Sequence, residues 1–347
     1  MLSFVYNKKE QKLILEDRPK PKPAPDDAIL KVSVSAICGT DIRTYRHGSS
    51  RIKQGRIVGH EVTGILEEVG ENIHGFTPGE RVIVTPAIGC GDCYSCRRGY
   101  TNLCDNLETI GFDYDGGFAE FVALPAKAFH MGNINRIADS VSDNEAVLCE
   151  PVACVVNGQE PLGITEGETV AIFGAGFIGC MHAELAFLSG AERVIMIELS
   201  RPRLDVAQTH VPDIQAVHLE SEDLQEKLQD LTSGRGADVV ITACSAGKAQ
   251  ADALDVAAKR GRISLFGGLP GDPKGFLDSN VIHYKELGVF GVHASTVEQN
   301  IRVSSWLADG ILKPGKYLGK PFQLSNIEKA FQALLEEEIM KAIVIPN

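Results

Sequence analysis

The chain has 347 residues, enough for about two domains. With 44% hydrophobic and 23% charged residues it has the make-up of an ordinary globular protein, and its net charge of -12 argues against nucleic acid or an anionic membrane as the main partner. The opening MLSFVYNKKEQK lacks the apolar core of a signal peptide, and no apolar run reaches the ~18 residues of a membrane helix, so a cytoplasmic protein is expected.

Taken in order, the first ~150 residues carry short β-like runs separated by Gly and Pro clusters: Ile29 to Val34, Val62 to Val69, Arg81 to Val84 and Phe118 to Ala123. No long helices alternate with them, which predicts a mostly antiparallel barrel or sandwich. From about Glu166 the pattern changes. Strands are predicted at Glu168 to Phe173, Arg193 to Glu198, Asp238 to Ala243, Arg262 to Phe266 and Leu287 to Val292. Helices are predicted after the first of these, ending at Ser189, and over Lys248 to Lys259. Such alternation implies a doubly wound parallel sheet, so the fold class is α/β plus mostly-β. The tail reads as a helix, Asn326 to Glu337, and a strand, Ala342 to Ile345.

Cys90, Cys93, Cys96 and Cys104 follow C-x2-C-x2-C-x7-C. Four thiolates that close together can enclose one tetrahedral Zn²⁺ with no open position, a structural site. Two disulfides are the alternative, disfavoured where thiols stay reduced. An iron–sulfur site is the other, but ferredoxin spacing ends x3-C-P, whereas here the last gap is seven residues and Asp105 follows. Cys149, Cys154, Cys180 and Cys244 lie in apolar or small-residue contexts and read as core.

Gly174, Gly176 and Gly179, with Phe177 and Ile178 between the last two, form G-x-G-x-x-G after a strand and before a helix. In that context the first glycine permits the turn, the second lets backbone approach a pyrophosphate, and the third allows close helix–strand packing. Glu198 ends the next strand, where a carboxylate can bind ribose hydroxyls and repel a 2′-phosphate, favouring NAD; Arg201 and Arg203 keep NADP open. Arg203, with Phe266 and Val292 at later strand ends, completes the expected cofactor contacts.

Cys38, His60 with Glu61, and Glu150 offer mixed ligands from three segments, as a catalytic zinc requires. Taken singly, a cysteine such as Cys38 is usually a core thiol and a histidine such as His60 usually a satisfied buried one. The order Cys38-Gly39-Thr40-Asp41, Gly59-His60-Glu61, the four cysteines, Asp115 to Glu120, Glu150-Pro151 and the glycine turn resembles the zinc-dependent medium-chain dehydrogenases, nearest to the sorbitol (L-iditol 2-) and threonine dehydrogenase branch. The resemblance implies a GroES-like catalytic domain at 1–155 and 294–347 carrying two zinc sites. It implies a Rossmann NAD-binding domain at 156–293 and an active site in the cleft between them. By the same resemblance Cys38 and His60 match catalytic zinc ligands, and Glu61 matches a glutamate that binds directly or through water. Glu150 stands where classical alcohol dehydrogenases have cysteine. Asp41 would orient His60, and Thr40 would take the substrate proton. Arg43 stands where many relatives carry a relay histidine, and an arginine cannot shuttle protons; His47 reads as a surface residue. Arg43 and Tyr45 are the expected substrate contacts, with loops at Tyr45 to Arg56, Ile110 to Tyr114 and Gly291 to Ser295 setting specificity.

The expected activity is hydride transfer from a secondary alcohol of a polyol or sugar to NAD, in a homotetramer or dimer by analogy. The alternatives are an L-threonine 3-dehydrogenase-like or sugar-alcohol-phosphate activity. A zinc-free reductase of the same superfamily would lack both metal motifs, and a non-enzymatic NAD-binding protein would have lost a ligand or Thr40.

Overall fold

The computed structural model describes residues 1–269, 271 and 277–347. It comprises two compact units, Met1–Ala153 with Ala294–Asn347, and Cys154–His293.

The first unit is built on a sheet of seven strands. Its order runs Ile134–Arg136, Arg81–Val84, Glu61–Val69, Ala28–Ala36, Ile343–Ile345 and Phe322–Gln323, with Phe121–Leu124 also paired to Ala28–Ala36. All pairs are antiparallel except Ile343–Ile345 with Phe322–Gln323, which is parallel. A three-stranded sheet adds Lys12–Asp17, Leu2–Asn7 and Arg56–Ile57. Apolar residues facing inward alternate with polar ones, so Leu30, Val32, Val62, Leu66, Val82 and Val84 form one core cluster. A second gathers Phe4, Tyr6, Phe118 and Phe331, and its three phenylalanine rings meet edge-on or tilted.

Register decides what the sheet end presents. Ala36 lies opposite Glu61 on one side and Ile343 on the other. The chain just past Ala36, the start of Glu61–Val69 and the approach to Ile343 therefore converge.

The second unit is a six-stranded parallel sheet ordered Gln215–His218, Arg193–Glu198, Thr169–Phe173, Ala237–Thr242, Ala257–Leu265, Gly288–Gly291. This is the 3-2-1-4-5-6 order, whose switch point lies beside the first strand. The first strand is buried throughout, as a doubly covered strand should be.

Several predicted elements differ from the fold. Phe118 precedes its strand, which starts at Phe121. The helix expected to reach Lys259 stops at Val256, because Ala257 already pairs with Ala237. The strand Gln215–His218 and the helices Cys149–Gln159, Arg201–His210, Leu224–Thr232 and Val297–Ala308 were not predicted. Among the described residues no helix is long and apolar enough to cross a membrane.

Candidate active site

Two groups of metal-capable side chains occur among the described residues. In each, one ligand atom per residue lies within 4.8 Å of the others: Cys90, Cys93, Cys96 and Cys104, and Cys38, His60 and Glu61.

The four cysteines ride on a lobe with a short helix, Tyr94–Arg97, and a single 3-10 turn, Thr101–Leu103. Backbone amides are aimed at the sulfurs. Cys90 N–H donates to Cys104 Sγ at 3.2 Å, Cys93 N–H to Cys90 Sγ at 3.3 Å, and Asn106 N–H to Cys104 Sγ at 3.2 Å. Such donors stabilise thiolates. The amides of Cys96 and Asp105 hold Cys93 down to about 6, while burial pushes Cys96 up to about 12. All nine cysteines are free thiols, so the disulfide alternative fails, and four converging sulfurs suit a closed tetrahedral zinc.

The second group forms where the sheet register brings three segments together. Cys38 caps the helix Gly39–His47, and Asp41 Oδ2 accepts from Cys38 N–H at 2.9 Å, which fixes the helix start. Gly59, at φ 96°, makes the turn before His60, and a side chain there would strike Phe118. Glu61 is fully buried. Lys341 Nζ, itself buried, donates to Glu61 Oε1 at 2.8 Å and to Ile37 O at 3.0 Å, and lies 2.6 Å from Glu61 Oε2.

The electrostatics suit a cation. Burial works against a charged His60, yet Asp41, Cys38 and Glu150 prevail and raise it well above 6.5. Burial raises Asp41, opposed by the charge of His60. Lys341 is likewise raised: burial opposes its charge, but Glu61, Cys38 and Glu150 outweigh that. A pocket that draws a proton onto a buried imidazole offers the same field to a divalent ion, which would replace that proton. His60 Nδ1 is buried without a hydrogen-bond partner, 3.7 Å from Asp41 Oδ1. The donor set therefore fits Zn²⁺ by its S, N and O ligands, while Lys341 holds the Glu61 carboxylate.

Glu150 does not join this cluster. It is buried at the start of the helix Cys149–Gln159, and acts on His60 and Lys341 through its charge. Thr40 is half-buried in the first turn of Gly39–His47. Tyr45 stacks on core residue Phe331, at 4.8 Å between ring centroids, so its ring serves packing. Arg43 is exposed, and Arg56 is paired with Asp115 at 2.9 Å. Lys341 escaped the sequence reading. Its signal was a lone charge before the apolar run Ala342 to Ile345.

In the second unit the expected nucleotide residues gather at the carboxyl ends of the strands. Gly174 has φ 109°, and a Cβ on Gly179 would collide with Gly174 O, so helix Phe177–Leu188 presses directly on the turn. Glu198 ends its strand; Oε2 accepts from Ala175 N–H at 2.8 Å and Oε1 from Leu199 N–H at 2.7 Å. The carboxylate is thus tied to the glycine turn. Phe177 faces the core while Ile178 is half-buried. Phe266 and Val292 immediately follow two further strands. Arg201 pairs with Asp205 at 2.9 Å, and Arg203 lies in the first turn of the same helix. These positions fit a dinucleotide laid across the switch point.

The profile "Alcohol dehydrogenase GroES-like domain" matches residues 24–133, and "Zinc-binding dehydrogenase" matches 178–309. The chain is 37% identical to L-threonine 3-dehydrogenase of Pyrococcus abyssi over 78% of its own length and 77% of that protein's. It resembles a zinc-binding dehydrogenase from Sinorhizobium meliloti bound to NADP, at 28% identity, TM-score 0.89 and 99% coverage of both chains. It also resembles an alcohol dehydrogenase from Escherichia coli complexed with NADH, at 29% identity, TM-score 0.88 and 99% coverage of both.

Proposed function

Because the chain belongs to the zinc-dependent medium-chain dehydrogenase family, we propose that it oxidises a secondary hydroxyl with NAD as acceptor. The observation that carries this reading is the convergence of Cys38, His60 and Glu61 on one buried point beside Lys341.

Cys38 and His60 would hold the catalytic zinc, with Glu61 as third ligand or reserve, and the four-cysteine lobe would hold a structural one. Bound there, zinc supplies Lewis acidity that lowers the pKa of an alcohol. The chain's own residues do the rest. Asp41 fixes the helix start that carries Cys38 and Thr40, and its other oxygen faces His60 Nδ1. Lys341 holds the Glu61 carboxylate in place and balances its charge. Thr40 takes the hydroxyl proton toward solvent, and with Arg43 in place of a relay histidine that proton leaves through water. Gly174 to Gly179 cradle the pyrophosphate, while Glu198 receives the ribose hydroxyls and selects NAD. NADP in one relative and NADH in another keep this choice tied to Glu198 itself.

For the substrate, the relatives named for threonine favour L-threonine over the polyol first expected from Glu150. The test is NAD reduction by L-threonine, sorbitol, L-iditol and 2,3-butanediol, before and after a chelator and again after zinc is restored.

A further inference from the structure

Arg51 stands apart from the other arginines near the site. Its Cζ lies 4.8 Å from the centroid of the Phe112 ring, and that ring lies 5.8 Å from the imidazole of His60. The guanidinium is therefore no farther from His60 than those two distances combined, with one aromatic ring between them. Phe112 is itself fixed. It sits in a turn where the amides of Phe112, Asp113 and Tyr114 all converge on Thr109 O, at 3.1, 2.8 and 3.2 Å. The same Thr109 accepts from Arg51 Nη2 through its hydroxyl at 3.0 Å.

Stacking and one hydrogen bond hold the guanidinium while engaging a fraction of its five N–H donors. It forms no ion pair among the described residues, and it is exposed. Neighbouring carboxylates are spoken for: Glu108 by Lys127 and Tyr114, Asp113 by the Thr109 amide. Arg56, at the end of the same segment, is neutralised by Asp115. A planar donor fork, pre-set on a ring that abuts a metal-binding imidazole, is built for an oxyanion.

We propose that Arg51, seated on Phe112, binds an anionic group of the substrate, a carboxylate or phosphate a few bonds from the hydroxyl oxidised near His60. This rests on the dehydrogenase reading above and narrows it to hydroxy compounds carrying an oxyanion.

The experiment compares the zinc-loaded full chain with Arg51→Met and Arg51→Lys. The substrates are L-threonine, a zwitterion with a carboxylate, and galactitol 1-phosphate as the oxyanion bearers, with 2,3-butanediol and galactitol as counterparts that lack an oxyanion. In Arg51→Met the ratio of kcat/KM for the oxyanion bearers to that for their counterparts should fall on the order of 10- to 100-fold, through KM, as expected for a lost charged hydrogen bond. Arg51→Lys should restore part of it, since charge remains without the fork. The preferred anion tells carboxylate from phosphate. An unchanged ratio overturns the proposal, as does a wild-type chain that oxidises only neutral alcohols, which leaves the dehydrogenase reading intact. If none of the four is oxidised, and neither sorbitol nor L-iditol is, that reading fails, and calorimetric titration with L-threonine and galactitol 1-phosphate decides for Arg51. Binding weakened by Arg51→Met supports it, and equal or absent binding overturns it.

Discussion

At the scale of single residues, function rests on side chains whose partners are already in place. Cys38→Ser should abolish turnover while moving the melting temperature little, because Cys38 is half-exposed and its loss leaves the sheet core intact. Activity per folded molecule, set beside a melting curve, checks this. Glu198→Ala removes the acceptor that ties down the glycine turn and that the proposed reading assigns to the ribose. The NADP-to-NAD ratio of kcat/KM should rise at least about tenfold, or ~1.4 kcal/mol; a wild type already preferring NADP would refute the assignment. His182 gives a pH test. Burial lowers its pKa to about 3 from 6.5, with Gln159 Nε2 3.1 Å from its Nδ1. Between those values the unfolded chain binds a proton that the fold excludes, so stability falls as pH drops below 6.5. From pH 7 to pH 5 this residue should remove about 2 kcal/mol, and denaturant unfolding of His182→Phe should lose that much less. Cys38, His60 and Glu61 were legible because each lies in a short motif. Lys341 and Arg51 were not, because their roles arise from contacts with segments far away in sequence.

At the scale of elements, the four-cysteine lobe and the glycine turn carry separate duties. Cys93→Ser should destabilise the lobe, because a structural zinc contributes folding energy, and a chelator should then lower the melting temperature less than in wild type. An equal chelator effect in both proteins would exclude a structural metal there. Strands with strong β-branched runs, such as Arg193–Glu198 and Arg81–Val84, matched their predicted bounds. The helix Arg201–His210 is mostly polar and buries only two side chains, so its apolar period is faint. Leu224–Thr232 carries Leu224, Leu228 and Leu231 at helical spacing against the core, a period the sequence reading passed over. Residues 257–259 read as helix from their Ala and Lys content, but pairing with the neighbouring strand outweighs that weak preference. Glu150 lies outside the 4.8 Å grouping of Cys38, His60 and Glu61, and sequence order cannot tell a carboxylate that touches a metal from one that acts through its field.

At the scale of the whole molecule, the chain combines a GroES-like unit holding two metal-capable clusters with a Rossmann unit bearing a dinucleotide turn. Both were legible because composition and period change near Glu166. The substrate was less so: the polyol expectation drew on Glu150 and on Tyr45, Arg46 and Arg56, whereas relatives of the chain are named L-threonine 3-dehydrogenase. The most direct test of the central claim is absorbance of reduced nicotinamide as purified chain meets NAD and L-threonine, repeated after chelation and after zinc is returned. The account expects NADH to form, to stop forming without metal, and to resume with zinc. Undiminished NADH formation after complete removal of metal would contradict it.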